Sequence, residues 1–153
     1  MANLIIVKDP YTNKDALCNV VNYVVRPDKT KGVSGGQGVL MDDPYSYMEK
    51  VTVHYQNKGK QVQHFILSFE ENEGVPYYAV FQIGYAVCAM FPEYQSVFGF
   101  HQDAEHQHIH WAINPVRVTD GKKLNFTYEE TFGLRKKIAE LLESYDIKCH
   151  LCL

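Results

Sequence analysis

Between Val97 and Asn114 the chain alternates so regularly that few folds can accept it. Side chains on a strand point to opposite faces with period two. Val97-Phe98-Gly99-Phe100 alternates on the way in. On the way out, Ile109, Trp111 and Ile113 take one face, and His106, His108 and His110 share the other. The ten residues from His101 to His110 hold four of the seven histidines and one aspartate. A tight turn at Ala104-Glu105 makes the two runs an antiparallel hairpin. In that register Asp103 faces His106, and His101 stands directly opposite His108. Imidazoles 101, 108 and 110 then gather on one patch of sheet. A histidine-rich stretch can also be an ordinary solvated surface. Here the opposite face of the same strands is intact and apolar, which fixes the register and positions the polar face. The patch is a candidate metal site.

At 153 residues the chain is expected to be one domain, 1–153, long enough for a proper core. A hydrophobic fraction of 46% argues against disorder. Met1 to Val7 is too short for a secretory signal, and charged sequence follows at once. The longest apolar stretch, Val75 to Phe91, contains Gln82, falls short of a membrane span and reads as a buried helix. Cys18 and Cys88 lie in apolar helical patterns and read as reduced core thiols. Cys149 and Cys152 form a single CxxC, a weak zinc signal better read as strand-end packing. A cytoplasmic protein with no membrane segment is expected. The net charge of −3 excludes wholesale phosphate neutralisation. Nucleic-acid contact must then be local, at Arg26, Lys29 and Lys31 or at Arg117, Lys122 and Lys123.

The rest of the chain supplies the frame. Leu4 to Val7 reads as a short strand. Leu17, Val20, Val21 and Val24 follow helical spacing from about Lys14 to Val25, and Pro27 stops that helix. Lys31 to Gln37 reads as a glycine-rich mobile loop, and the segment through Tyr47 has no clear period. Val51 to Gln56 alternates like a strand, turns at Asn57 to Lys60, and is answered by a strand from Gln63 to Phe69. Pro76 opens a helix reaching Met90. Thr127-Tyr-Glu-Glu130 is a capping box for a helix whose core stripe is Leu134, Ile138, Leu141, Leu142 and Tyr145. Ile147 to Leu151 is a final strand. The expected class is α+β: a mostly antiparallel central sheet, helices packed on one face, and an open histidine-bearing face.

A cation held by three neutral imidazoles keeps coordination positions open and acts as a Lewis acid on a phosphoryl or carbonyl oxygen, or makes hydroxide from water. There is no GxSxG and no P-loop. Tyr23 stands off its helix's apolar stripe beside Asn19, Asn22 and Arg26, where a tyrosine could act as nucleophile. With eleven tyrosines in the chain, that placement alone selects none of them.

Three separated segments, in order, resemble the relaxases, conjugative and mobilisation nucleases of the HUH endonuclease superfamily. Val21-Asn-Tyr-Val-Val-Arg-Pro-Asp-Lys-Thr30 resembles the first motif, which carries the catalytic tyrosine. His64-Phe-Ile-Leu-Ser-Phe69 resembles the second, whose serine contacts DNA. His101-x-Asp-x-x-His-x-His-x-His110, followed by Asn114 and Asp120-Gly-Lys-Lys, resembles the third, with the His-hydrophobic-His pair.

The resemblance implies a metal-dependent single-strand DNA nickase and strand transferase, acting through a 5′-phosphotyrosyl intermediate in plasmid or integrative-element mobilisation. Tyr23 would be the nucleophile, on a helix docked over the histidine face. His101, His108 and His110 would hold a divalent cation, and Asp103 would orient a ligand histidine or help deprotonate the tyrosine. Ser68 would hold the DNA backbone, with Arg26 and Lys29 nearby. Asn114 would touch DNA or support its strand, and His106 would sit behind the ligands. Imidazole donors favour manganese, cobalt, nickel or zinc over magnesium; the family implies magnesium or manganese, and all remain open. The partner is single-stranded DNA at an origin-of-transfer-like site. An acidic balance without a basic arm leaves origin recognition to accessory DNA-binding proteins. Family members usually carry a further domain, and this chain ends soon after the nuclease core, as an excised domain or a short natural form. Two other readings stand beside the nickase: a metal-dependent phosphodiesterase that uses bound water, and a non-catalytic single-strand DNA-binding module.

Overall fold

A computed structural model describes residues 1–71, 73–102 and 105–150. In chain order the elements are β1 (Ala2–Ile6), α1 (Ala16–Val24), α2 (Pro27–Thr30), β2 (Ser34–Gln37), α3 (Pro44–His54), β3 (Gln63–Ser68), α4 (Tyr77–Ala89), β4 (Ser96–His101), β5 (His108–Ile113), α5 (Tyr128–Glu143) and β6 (Cys149–His150). The strands form one open sheet in the order β2-β4-β5-β3-β1-β6. All neighbours are antiparallel except β1 and β6, which run parallel. This is the α+β class expected. The β4–β5 hairpin has the expected register, with His101 opposite His108 and Gly99 opposite His110.

The alternation decides what each face of the sheet touches. Phe65, Leu67, Phe98, Phe100, Ile109, Trp111 and Ile113 point to one side and are buried with α4 and α5 in the main core. Each such side chain contributes about 1.5–3 kcal/mol by leaving water. Trp111 donates its indole N–H to the Gly84 carbonyl of α4 at 3.1 Å, which satisfies a polar atom that burial would otherwise strand. The helix layer expected on one face is α4 and α5, but helices are not confined to that face, contrary to expectation. On the other face Val97 and Ala112 pack against Ala16, Leu17, Val20, Val21 and Val24 of α1 and Met48 of α3. That second cluster roofs one end of the histidine face and brings α1 over it, as the placement of Tyr23 required.

Two segments fold differently from their sequence pattern. Val51 to Gln56, expected to be a strand, is mostly the last part of α3. The helix begins upstream, where the Asp43 side chain accepts from the Ser46 N–H at 3.4 Å and Pro44 takes the first helical turn. Once nucleated, it runs through the alternating residues and leaves Val53 exposed. No 51–69 hairpin forms, and β3 pairs with β1 and β5 instead. Lys31 to Gln37, expected to be a mobile loop, contains the edge strand β2, paired with β4. Its glycines permit a close approach: a Cβ on Gly35 would lie 2.8 Å from the Phe98 ring.

The remaining elements follow the sequence closely. Thr127 and Glu130 form the capping box of α5, whose buried stripe is Leu134, Ile138 and Leu142. Cys88 is buried and Cys18 half-buried. Cys149 packs against the main core, in keeping with strand-end packing, while Leu151 and Cys152 lie outside the described residues. Among the described residues no helix is long and apolar enough to cross a membrane.

Candidate functional site

Helix α1 reaches the sheet at a glycine. Gly99 faces the same side as its partner His110, and a Cβ at Gly99 would overlap the Val24 carbonyl oxygen and press on the Thr30 methyl. The missing side chain lets the last turn of α1 lie on β4. There the Val24 carbonyl accepts a hydrogen bond from His101 Nε2 at 3.0 Å. The next segment is anchored too. Gln102 accepts from the Tyr77 hydroxyl at 2.7 Å, its side-chain amide donates to the Thr30 carbonyl at 2.8 Å, and its backbone N–H donates to the Lys29 carbonyl at 2.9 Å. The α1–α2 corner is thus fixed to the end of β4, with Tyr23 on its outer side.

Tyr23 then falls over the imidazoles. Its ring meets His101 edge-on at 4.9 Å between centroids, and His110 edge-on at 5.5 Å. His101 and His110 stack at 4.1 Å, and the His108 ring lies 5.9 Å from His110. Tyr23 remains 40% exposed, so a substrate in solvent can reach it. Lys29 Nζ stands 5.6 Å from the centre of the Tyr23 ring. Ser68 is directly opposite His108 across the β3–β5 ladder, at the half-exposed end of the same face.

A fourth histidine completes the cluster. His64 Nε2 lies 3.0 Å from His110 Nδ1, and His64 Nδ1 lies 3.2 Å from the Tyr11 hydroxyl. Burial, then the nearby His101, pushes the pKa of His64 down to about 4. Burial, followed by the neighbouring histidines and Lys29, pushes His110 down to about 2. Both rings are therefore neutral at pH 7, the form in which imidazole binds a metal. His64 and Ser68 share the parity of one strand face, and only the pairing of β3 with β5 brings His64 to His110. That shared parity is the only signal of His64 in the sequence.

The donor set suits a divalent cation in kind: three imidazoles on one face, two of them held through their second ring nitrogen. Such outer hydrogen bonds orient histidine ligands. Among the described residues, however, no three His, Cys, Asp or Glu side chains are arranged to hold an ion. His101 and His110 stack face to face rather than aiming at a common centre. The residues fit the group in chemistry and proximity, and convergence requires their rings to turn.

Other residues singled out in the sequence divide clearly. Arg26 is exposed at the start of α2 and pairs with Asp28 at 2.8 Å. His106 is exposed in the bend before β5. Asp103 lies outside the described residues. Asn114 is fully buried and cannot touch DNA in this arrangement. Its amide donates to the Met48 carbonyl and to Gln95, and its oxygen accepts from the Val116 N–H, so it supports the strand. The second basic patch is engaged within the protein: Arg117 pairs with Asp120, and Lys123 donates to Asn57 and to the Lys58 and Lys60 carbonyls.

Comparison with known proteins bears on the fold and the family. A solved structure concerning the molecular basis of vancomycin resistance transfer in Staphylococcus aureus superposes with a TM-score of 0.56. The match covers 78% of this chain and 75% of that one at 12% identity, a likeness of fold. No curated protein sequence matches. The model of the family described as "Relaxase: MobA/VirD2-like, nuclease domain" matches residues 23–147, starting at Tyr23. Since that match runs through the histidine strands and α5 and takes in most of the chain, the protein belongs to the MobA/VirD2-like relaxase nuclease family.

Proposed function

We propose that this domain nicks single-stranded DNA at an origin-of-transfer-like site and keeps the cut end as a phosphotyrosyl ester on Tyr23, in the mobilisation of a plasmid or integrative element. The observation that carries the reading is the edge-on contact of Tyr23 with His101 and His110 at the solvent-facing end of the histidine face. The Tyr23 oxygen attacks the scissile phosphorus. The new O–P bond forms as the bond to O3′ breaks, the phenolic proton is lost, and the leaving O3′ takes a proton to become a free hydroxyl. Ester exchange conserves the phosphate bond, so the reverse reaction can rejoin the strand without ATP. Lys29 and Arg26 supply local positive charge to a chain whose net charge is −3, and Ser68 supplies a hydroxyl for the DNA backbone. Accessory DNA-binding proteins provide the rest of origin recognition.

His101, His108 and His110 would hold a divalent ion, magnesium or manganese first, with zinc, nickel and cobalt as the other candidates. When bound, such an ion withdraws charge from the non-bridging phosphate oxygens. Asp103 is assigned to orienting one of these histidines or to helping deprotonate the tyrosine.

The test is incubation of the protein with a pool of labelled single-stranded oligonucleotides and manganese, followed by denaturing electrophoresis. The expected result is a protein–DNA band that survives denaturation, with the trapped end identifying the nick site. Cleavage without that band would instead support hydrolysis by bound water. Binding with neither cleavage nor adduct would support a non-catalytic module.

A further inference from the structure

His64 has no part in the reaction just described, yet it bonds to the inner ligand histidine. A hydrogen bond between two neutral imidazoles needs one N–H and one lone pair. His110 can give its Nε2 lone pair to a cation only if its proton sits on Nδ1. That nitrogen is 3.0 Å from His64 Nε2, which must then accept. His64 in turn carries its proton on Nδ1, which lies 3.2 Å from the Tyr11 oxygen. In this polarity the Tyr11 hydroxyl accepts the bond from His64. The opposite polarity, with Tyr11 donating to His64 and His64 donating to His110, would put the His110 proton on Nε2 and remove it as a ligand.

The end of this chain is built into the fold. Tyr11 has φ of 46°, in the left-handed region, so its ring position is not that of a relaxed extended residue. Its backbone is fastened on both sides: the N–H donates to Asp9 at 2.9 Å, and the carbonyl accepts from the Gln61 N–H at 2.9 Å. His64 is itself only 6% exposed, on the strand that pairs Ile66 with His110. Water therefore does not readily take the place of His64 beside His110, where both rings are buried.

We infer that His64, backed by Tyr11, is a positioning residue that fixes His110 in its Nδ1–H tautomer and leaves Nε2 as the donor for the cation. The inference rests on the metal-ligand reading of His110, and the test separates the two. Long-range ¹H–¹⁵N correlation on the metal-free full chain reports which nitrogen of His110 carries the proton. The expected answer is Nδ1 in the native protein, shifting toward Nε2 in His64→Leu. Manganese binding, read from the free-ion electron paramagnetic resonance signal, should weaken about 10–100-fold in His64→Leu. It should recover in His64→Gln, whose amide oxygen can accept the same bond, and weaken less in Tyr11→Phe. Thermal melts establish that each variant is folded. A His110 proton on Nε2 in the native protein, or equal manganese affinity in folded His64→Leu, overturns the inference. If the native protein binds no manganese while His110 is Nδ1-protonated, the hydrogen bond stands as inferred and the ligand role falls.

Discussion

The Val24 carbonyl oxygen occupies the space that a side chain on Gly99 would fill. One missing Cβ on β4 thus decides how closely α1 lies on the sheet, and with it where Tyr23 and the acceptor for His101 stand. In Gly99→Ala the added methyl must push back the last turn of α1. Overpacking of this kind costs about 1–3 kcal/mol, readable from the urea midpoint. The yield of covalent DNA adduct should fall as well, because Tyr23, the proposed nucleophile, moves with the turn. An unchanged midpoint and an unchanged yield would remove the glycine from the account of the site.

Tyr23→Phe keeps the ring and its edge contacts with His101 and His110 and deletes only the hydroxyl. Because the side chain is substantially exposed, stability should change by no more than about 0.5 kcal/mol. Binding of single-stranded DNA should persist while the adduct disappears. An adduct that survives the substitution shows that another tyrosine is the nucleophile, and Tyr11, already joined to the cluster through His64, is the next to replace.

The hairpin was legible because each of its residues contributes to one pattern. Ile109, Trp111 and Ile113 could only be a core face, and parity then fixed His108 and His110. The same logic misleads at Val51 to Gln56, where an alternating run of six reads as a strand apart from its upstream neighbours. Asp43 and Pro44 start a helix there, and helical continuity outweighs the strand preference of two valines. Glycine misled in the opposite direction at Ser34 to Gln37. It usually marks a loop, but here it admits an aromatic ring against an edge strand. His64 escaped because a strand's partner is a long-range fact. Sequence parity gave its face, and only the β3–β5 register gave its neighbour.

Asn114 sits beside the third motif, which invites a DNA-contacting role, yet its polar atoms are engaged inside the protein. Asn114→Ala would leave the Val116 N–H, the Met48 carbonyl and the Gln95 amide to find other partners in a buried setting. The expected cost is about 1–3 kcal/mol of stability, measured by denaturant unfolding. At a temperature where the variant is folded, its DNA affinity and the salt dependence of that affinity should match the native protein. A weaker affinity with native stability would restore the contact role.

Lys29 and Arg26 should separate from Asn114 in the same measurement. Each phosphate contact to a single strand contributes about 0.7 to the slope of log affinity against log salt. Lys29→Ala should lower the slope by about that amount and weaken binding at low salt. Arg26 faces Asp28 at 2.8 Å in the free protein and must give up that pair to meet a phosphate, so Arg26→Ala should lower the slope by less than a full contact. Equal slopes in all three proteins would place the DNA backbone elsewhere on the surface.

His108 and His110 share the expected ligand role but differ in burial. His108 is half-exposed at the open end of its strand, so His108→Ala should lower manganese affinity and cleavage together and leave the melting temperature nearly unchanged. His110 is 6% exposed and bonded to His64, so His110→Ala strands a buried nitrogen as well as removing a donor. It should lose metal and cleavage equally and also lose about 1–3 kcal/mol of stability. A chelator should abolish adduct formation by the native protein, and added manganese should restore it there but not in His108→Ala. Full activity of His108→Ala at the native manganese concentration would exclude that residue from the ligand set and leave His101 and His110 as an incomplete pair.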